Sequence, residues 1–312
     1  MKQGPVAAIL GLTLLSFPLM YIFLGTPLGE IELNALKPLL WVLGASILLT
    51  FIVGELTRNN SQVDKIWSIL PIFYAWIVAY YGDFSTRLVV MSILVTIWGL
   101  RLSINFGLKG AYQWKFWGGE EDYRWKYLRS QKEFQAKWKW SLFNFGFICG
   151  YQNLLIFLFT MPIMIALQFN SEPFGTLDLI FAILMFFFIL YETIADIQQF
   201  RFQSAKHALL KQGLPLDEKY SKGFLDRGLW KYSRHPNYFA EQAIWFMFYG
   251  FSIAASGQWF NWSIAGSILL IALFLGSSNF SESISASKYP EYKNYQKKVS
   301  RFVPFLKNVV RL

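Results

Sequence analysis

Residues 174–197 read Phe-Gly-Thr-Leu-Asp-Leu-Ile-Phe-Ala-Ile-Leu-Met-Phe-Phe-Phe-Ile-Leu-Tyr-Glu-Thr-Ile-Ala-Asp-Ile. A run of this length, with one acid before Glu192, is enough for a helix across about 30 Å of hydrocarbon. Working outward, comparable apolar runs fill 5–25, 36–56, 66–82, 87–108, 141–167, 236–255 and 259–280. The first is too long for a signal peptide and has no small-residue cleavage site before Gly25, so it reads as a retained helix. The third is the shortest and contains Pro71. The expectation is an all-α, polytopic integral membrane bundle of about eight transmembrane helices, built as a single transmembrane domain over 1–312.

Composition agrees. The chain is 54% hydrophobic and 19% aromatic but only 15% charged, against about 25% charged in soluble domains. With a mean hydropathy of +0.34, this excludes an ordinary cytosolic enzyme, a disordered chain and a secreted disulfide scaffold. The single cysteine, Cys149, allows no intrachain disulfide and no cysteine-based metal site. Two histidines, His207 and His235, make a multi-histidine zinc site a poor reading, so no metal is expected.

The net charge of +10 could point to nucleic acid, but its placement follows the spans. Eight of the 29 basic residues lie in 109–139, eight in 201–235 and seven in 281–312, and Lys2, Arg58 and Lys65 bring one side to 26. Lys37 and Arg87 fall opposite, and Arg101 lies inside the fourth span. The positive-inside rule then puts both termini and the long loops in the cytoplasm. A seven-span version that drops the third span breaks this parity. The connections on the far side are short, and chemistry is not expected there. No nucleic-acid or protein partner is expected.

Ionisable groups at membrane depth are functional candidates by default. Glu192 and Asp196 sit four apart on one helical face, with Gln199 close by. The plainer alternative is a helix end emerging into headgroups. The densest segment is Gly228-Leu-Trp-Lys-Tyr-Ser-Arg-His-Pro-Asn-Tyr-Phe-Ala-Glu241. Pro236 suits the first turn of a helix, capped by His235 or Ser233. Such a start, beside Arg234, Lys231 and Arg227, would suit a phosphate. Asn237 and Glu241 would share one face a turn apart. A capped helix with interfacial Trp230 and Tyr232 explains the same residues. Arg101, inside its span, wants a carboxylate or phosphate. Asp64 opens the third span and could be a plain N-cap. Glu120–Tyr127 mixes charge with aromatics, as interfacial loops do. No glycine-rich dinucleotide loop, Walker lysine or serine–histidine–acid order is present.

The run 228–241 resembles the signature of the steroid 5-alpha-reductase C-terminal family, in particular its mainly bacterial branch catalogued as a domain of unknown function. Further stretches are similar to that branch: Val63-Asp64-Lys-Ile-Trp67, Trp98-Gly-Leu-Arg101-Leu102, Glu121-Asp122-Tyr-Arg124-Trp125, Glu192-Thr-Ile-Ala-Asp196-Ile-Gln198, Tyr289-Pro-Glu-Tyr292 and Phe302-Val-Pro304. The resemblance covers 57–305, with the cofactor-binding part at 190–305, and leaves a helix pair at 1–56 outside it.

The resemblance implies a membrane reductase that uses NADPH on a carbon–carbon double bond conjugated to a carbonyl, in a sterol-like or other lipophilic enone arriving from the bilayer. It implies that Glu192, Asp196, His235, Asn237, Tyr238 and Glu241 hold the cofactor, with Arg234, Lys109 and Arg124 towards its phosphates. For polarising the carbonyl, Arg101 and a pair of Asp64 with Tyr112 or Tyr123 both stay open. Asn105 lies where the steroid reductases carry a tyrosine, and Ser281–Lys288 lacks their basic residues. A runner-up is the isoprenylcysteine methyltransferase type, which binds S-adenosylmethionine at a similar Arg-His-Pro-x-Tyr helix start. A transporter or non-catalytic membrane protein is the third reading. The expected home is the inner membrane in a bacterium or the endoplasmic reticulum in a eukaryote.

Overall fold

The structure, a computed structural model, describes residues 19–306. Among the described residues the regular structure is helical, with one isolated parallel bridge between Ser233 and Ser300. The helices are α1 Glu30–Thr57, α2 Gln62–Ile66, α3 Leu70–Tyr81, α4 Thr86–Leu108, α5 Tyr123–Arg129, α6 Lys137–Gln168, α7 Thr176–Lys211, α8 Pro236–Ser256, α9 Ile264–Lys288 and α10 Tyr292–Lys298. α6 widens to π geometry over Asn144–Tyr151 and breaks at Met161, where Pro162 offers no amide to continue the ladder.

Five of these, α1, α4, α6, α7 and α9, are long and apolar enough to cross a membrane. They correspond to the second, fourth, fifth, sixth and eighth expected spans. The third expected span is cut short: Pro71 stands at the start of α3 rather than inside it, leaving 12 residues, an apolar helix below spanning length. At 1.5 Å per residue that is about 18 Å, well short of the bilayer core. The seventh is the 21-residue α8, which is interrupted by polar side chains and is not among the five. Most of the first expected span, 5–25, lies outside the described residues. These apolar helices mark a membrane protein.

The chain divides into two compact units, and the division falls within α7, α8 and α9. One unit comprises Leu12–Ile183 and Phe246–Leu269. In it α9 comes so close to α6 that a Cβ at Gly266 would meet the Leu158 carbonyl at 2.3 Å. Arg87 and Asp178 form a buried bidentate pair at 2.7 and 2.9 Å, and Arg87 also donates to the carbonyls of Glu172 and Pro173. This buried charge is fully compensated, as it must be. On α1, Glu55 accepts from Ser141 at 2.7 Å and Asn144 at 2.8 Å, tying α1 to the start of α6.

The other unit comprises Leu184–Trp245 and the chain from Leu270 onward. Its small core packs Phe224, Tyr292 and Tyr295, with Tyr289, Ala286 and Val299 around them. Burial pushes the Tyr292 and Tyr295 hydroxyls well above the usual tyrosine range.

Candidate functional site

In the Leu184–Trp245 unit, the signature segment is a strap bound to the C-terminal tail. The amides of Arg234 and His235 donate to the carbonyls of Ser300 (2.9 Å) and Arg301 (3.0 Å), and Ser233 Oγ donates to Arg301 O at 3.1 Å. Gly228 opens the strap at φ +61°, and any Cβ there would meet the Gln198 side-chain amide at 2.5 Å. That amide oxygen accepts from Leu229 N at 2.9 Å, while Trp230 Nε1 donates to Ala195 O at 3.1 Å. Two residues of α7 thereby fix how the chain enters α8.

Glu282 of α9 lies under the strap and is 2% exposed. Its Oε1 accepts from Arg234 Nε at 2.7 Å and from His235 Nε2 at 2.9 Å. Its Oε2 accepts from Arg234 Nη2 at 3.2 Å and Gln296 Nε2 at 2.8 Å. Arg234 Nη1 donates to the carbonyls of Gln296 and Val299. The guanidinium thus holds α9 and the tail together. Burial holds the His235 imidazole below its usual value, against the opposing pull of Glu282. A neutral ring with its proton on Nε2 satisfies that contact.

In the first turn of α8 a polar face meets α7. Asn237 Nδ2 donates to Asp196 Oδ1 at 3.1 Å, while Asn237 Oδ1 is buried with no hydrogen-bond partner. Glu241, 4% exposed, follows on the same face, and its Oε1 accepts from Trp245 Nε1 at 3.2 Å. Glu192 and Asp196 are both buried, at 4% and 7% exposed. The Tyr238 ring stacks on His235 with centroids 5.1 Å apart and packs on Phe274 at 4.5 Å. Seven sequence-derived candidates, Glu192, Asp196, Arg234, His235, Asn237, Tyr238 and Glu241, therefore gather in this unit.

The other five, Asp64, Arg101, Lys109, Tyr123 and Arg124, belong to the Leu12–Ile183 unit. There the loop 110–122 folds onto the segment 58–66. Lys65, 0% exposed, donates to Gln62 Oε1 (3.3 Å), Phe116 O (3.0 Å) and Gly118 O. Gln62 reaches Trp117 O at 3.0 Å, and Asn59 reaches Gly119 O at 3.1 Å. Burial lowers the Lys65 pKa, with Asp64 opposing.

Asp64 accepts from the Trp125 indole at 3.1 Å. Burial first, and the Asp122 charge second, raise its pKa. The tyrosine pairing expected for Asp64 is not formed through Tyr112, whose hydroxyl donates to Lys65 O at 2.7 Å. Arg124 grips Asp122 with Nε and Nη2 at 2.9 and 2.8 Å, and Asp122 caps α5 through Arg124 N at 2.8 Å. Although burial opposes it, Arg124 holds the Asp122 pKa down. Lys109 and Tyr123 are exposed, and Arg101 is partly buried in α4.

Residues 50–299 match the protein family described as a protein of unknown function, DUF1295. The chain belongs to the DUF1295 family. It is 38% identical over 278 residues to the uncharacterized protein C594.04c of Schizosaccharomyces pombe, covering 83% of this chain and 79% of that one. No solved structure matches.

The matched DUF1295 region contains both polar centres, and it contains the two residues that sequence reading passed over. In the sequence Lys65 counts only as a topology charge, because its carbonyl partners lie in a loop about 50 residues away. In the sequence Glu282 stands only among the residues of Ser281–Lys288 that replace basic ones. The signal for Glu282 is its place: an ionisable group within an apolar helix is a functional candidate, as for Glu192. Among the described residues there is no cluster of three or more His, Cys, Asp or Glu side chains able to hold a metal ion.

Proposed function

We propose that this chain is a membrane-embedded reductase that uses NADPH to saturate a carbon–carbon double bond conjugated to a carbonyl in a lipophilic substrate. One observation carries the reading. Asn237 Oδ1 is buried and lacks a donor, while the same side chain's Nδ2 is held by Asp196. A buried acceptor left unmatched costs about 1–3 kcal/mol, so a ligand donor such as a carboxamide N–H or a ribose hydroxyl fits there. The sequence resemblance to the steroid 5-alpha-reductase family supports the same assignment for Glu192, Asp196, His235, Asn237, Tyr238 and Glu241.

When bound, NADPH supplies a hydride to the carbon beta to the carbonyl. Asn237, Asp196 and Glu241 then act by orientation, since their acceptors and donors are fixed on two helices before any ligand arrives. Tyr238, packed between His235 and Phe274, excludes water from that face. Arg234 is committed to Glu282 and the tail, so it keeps the start of α8 in place.

Negative charge develops on the substrate carbonyl oxygen and needs a donor or cation in a dry setting. Arg101 can stabilise that charge but cannot give up a proton, so a tyrosine or water must supply it. Asp64 and Tyr123 are the alternative pair for that role. We further assign both termini and the basic loops to the cytoplasm, with eight crossings over the whole chain, the third of which needs α3 together with the α2 segment that leads into it rather than α3 alone. Substrate enters from the bilayer.

The test is the Glu241→Ala variant, purified and shown folded. Loss of its carboxylate should weaken NADPH binding by at least ~2 kcal/mol, read by titration of intrinsic fluorescence. Undiminished NADPH affinity and turnover in the folded variant would contradict the assignment.

A further inference from the structure

In the Leu184–Trp245 unit, a cleft of about 410 Å³ is rimmed by three cations: Arg201 of α7, Lys219 of the following loop and Arg227 before the strap. Its lining includes Phe202, Tyr220 and Leu225 and no acid. Among the described residues, the guanidinium groups of Arg201 and Arg227 make no hydrogen bond or ion pair, and the Lys219 ammonium rests over the Tyr220 ring at 5.2 Å. Two nearby acids are already engaged. Asp226 pairs with Lys222 at 2.6 Å, and Asp217 accepts from the amides of Lys219 and Tyr220 at 3.0 and 3.2 Å. Three cations facing one space without a counter-charge favour an anion in it.

The helix indicates where that anion comes from. Leu190, Ile194 and Ile197 are exposed on α7 at 49%, 51% and 42%. Steps of four and three residues keep them on one face, and the next exposed residue along it is Arg201. Arg201 lies about 6 Å beyond Ile197 along the helix axis. The polar layer outside the hydrocarbon core is about 5–8 Å thick on each side. The lipid-facing stripe therefore ends where the cations begin, at headgroup depth. Phe202 and Tyr220, whose rings pack at 5.2 Å, supply an apolar floor beneath the charged rim.

We propose that the Arg201–Lys219–Arg227 cleft binds the phosphate of an anionic phospholipid headgroup. Its lining includes none of Asp196, Asn237 and Glu241.

The test uses full-length protein in a neutral detergent, with phosphatidylglycerol or phosphatidylcholine added and bound lipid read by native mass spectrometry. The wild type is expected to retain phosphatidylglycerol in preference to phosphatidylcholine. Arg201→Ala/Arg227→Ala should lose that preference by about tenfold or more, at about 1 kcal/mol per basic residue near an anionic surface. Arg201→Lys/Arg227→Lys, which keeps the charge, should retain most of it and guards against a misfolded alanine variant. Lys293→Ala/Lys297→Ala, which removes the same charge from exposed positions of α10, should change nothing. Equal retention of both lipids by the wild type would overturn the proposal, as would equal losses in the α10 control. Displacement of the lipid by inorganic phosphate, or by 2′,5′-ADP, would overturn it in favour of a soluble anion.

Discussion

Asp64 occupies a place that penalises its charge. Burial and the neighbouring Asp122 carboxylate raise its pKa from 3.8, and Arg124, Trp125 and Ser61 offset this only in part. A carboxyl whose folded pKa exceeds its unfolded one favours the fold at low pH, and loses that advantage as pH rises through the folded value. Above its folded value the carboxyl is therefore a cost to the fold. Asp64→Asn should raise the thermal unfolding temperature at pH 7, with a gain that shrinks as pH falls towards 4, while turnover slows. A lower unfolding temperature at pH 7 would show that the charge is stabilising where it stands. The sequence marked Asp64 as a candidate but could not tell a cap from a strained carboxylate, because Asp122 and Trp125 approach it from about 60 residues away. Arg234 is a similar case: its carboxylate partner, Glu282, is 48 residues distant, and no local spacing encodes that meeting.

Among the elements, the apolar runs of α1, α4, α6, α7 and α9 were legible because hydrophobic length is a local property. α3 is shorter than the apolar run predicts, since Pro71 sits in its first turn and the helix begins only at Leu70. The start of α8 at Pro236 was legible for the same reason. The short connection at 169–175 carries more structure than expected of it. It supplies the Glu172 and Pro173 carbonyls that, with Asp178, surround Arg87. Breaking a buried pair strands its partner's charge, at a cost of about 3–5 kcal/mol. Asp178→Ala should lose stability on that scale by chemical denaturation, and Arg87→Met/Asp178→Leu should recover most of it. A single variant as stable as the wild type would show that the pair holds nothing together.

For the whole molecule, the proposed eight-span topology would put 26 of the 29 basic residues on one side. Reporter fusions at Pro27, Glu172 and Gly257 should all report the side opposite the cytoplasm. A cytoplasmic signal at Glu172 would reverse the loops and remove the proposed cofactor face from its source of NADPH. Membership of the DUF1295 family fixes kinship without chemistry, so the central claim rests on which dinucleotide or nucleoside the folded protein accepts. A ligand that binds only the native state raises its melting temperature by mass action, by about 2.7 kcal/mol of stability at one hundred times its Kd. The most direct measurement is thermal unfolding of the purified full-length protein with NADPH, NADH or S-adenosylmethionine. The reductase account predicts a rise with NADPH that is abolished in Glu241→Ala. A rise with S-adenosylmethionine alone, or no rise with saturating NADPH, would contradict it.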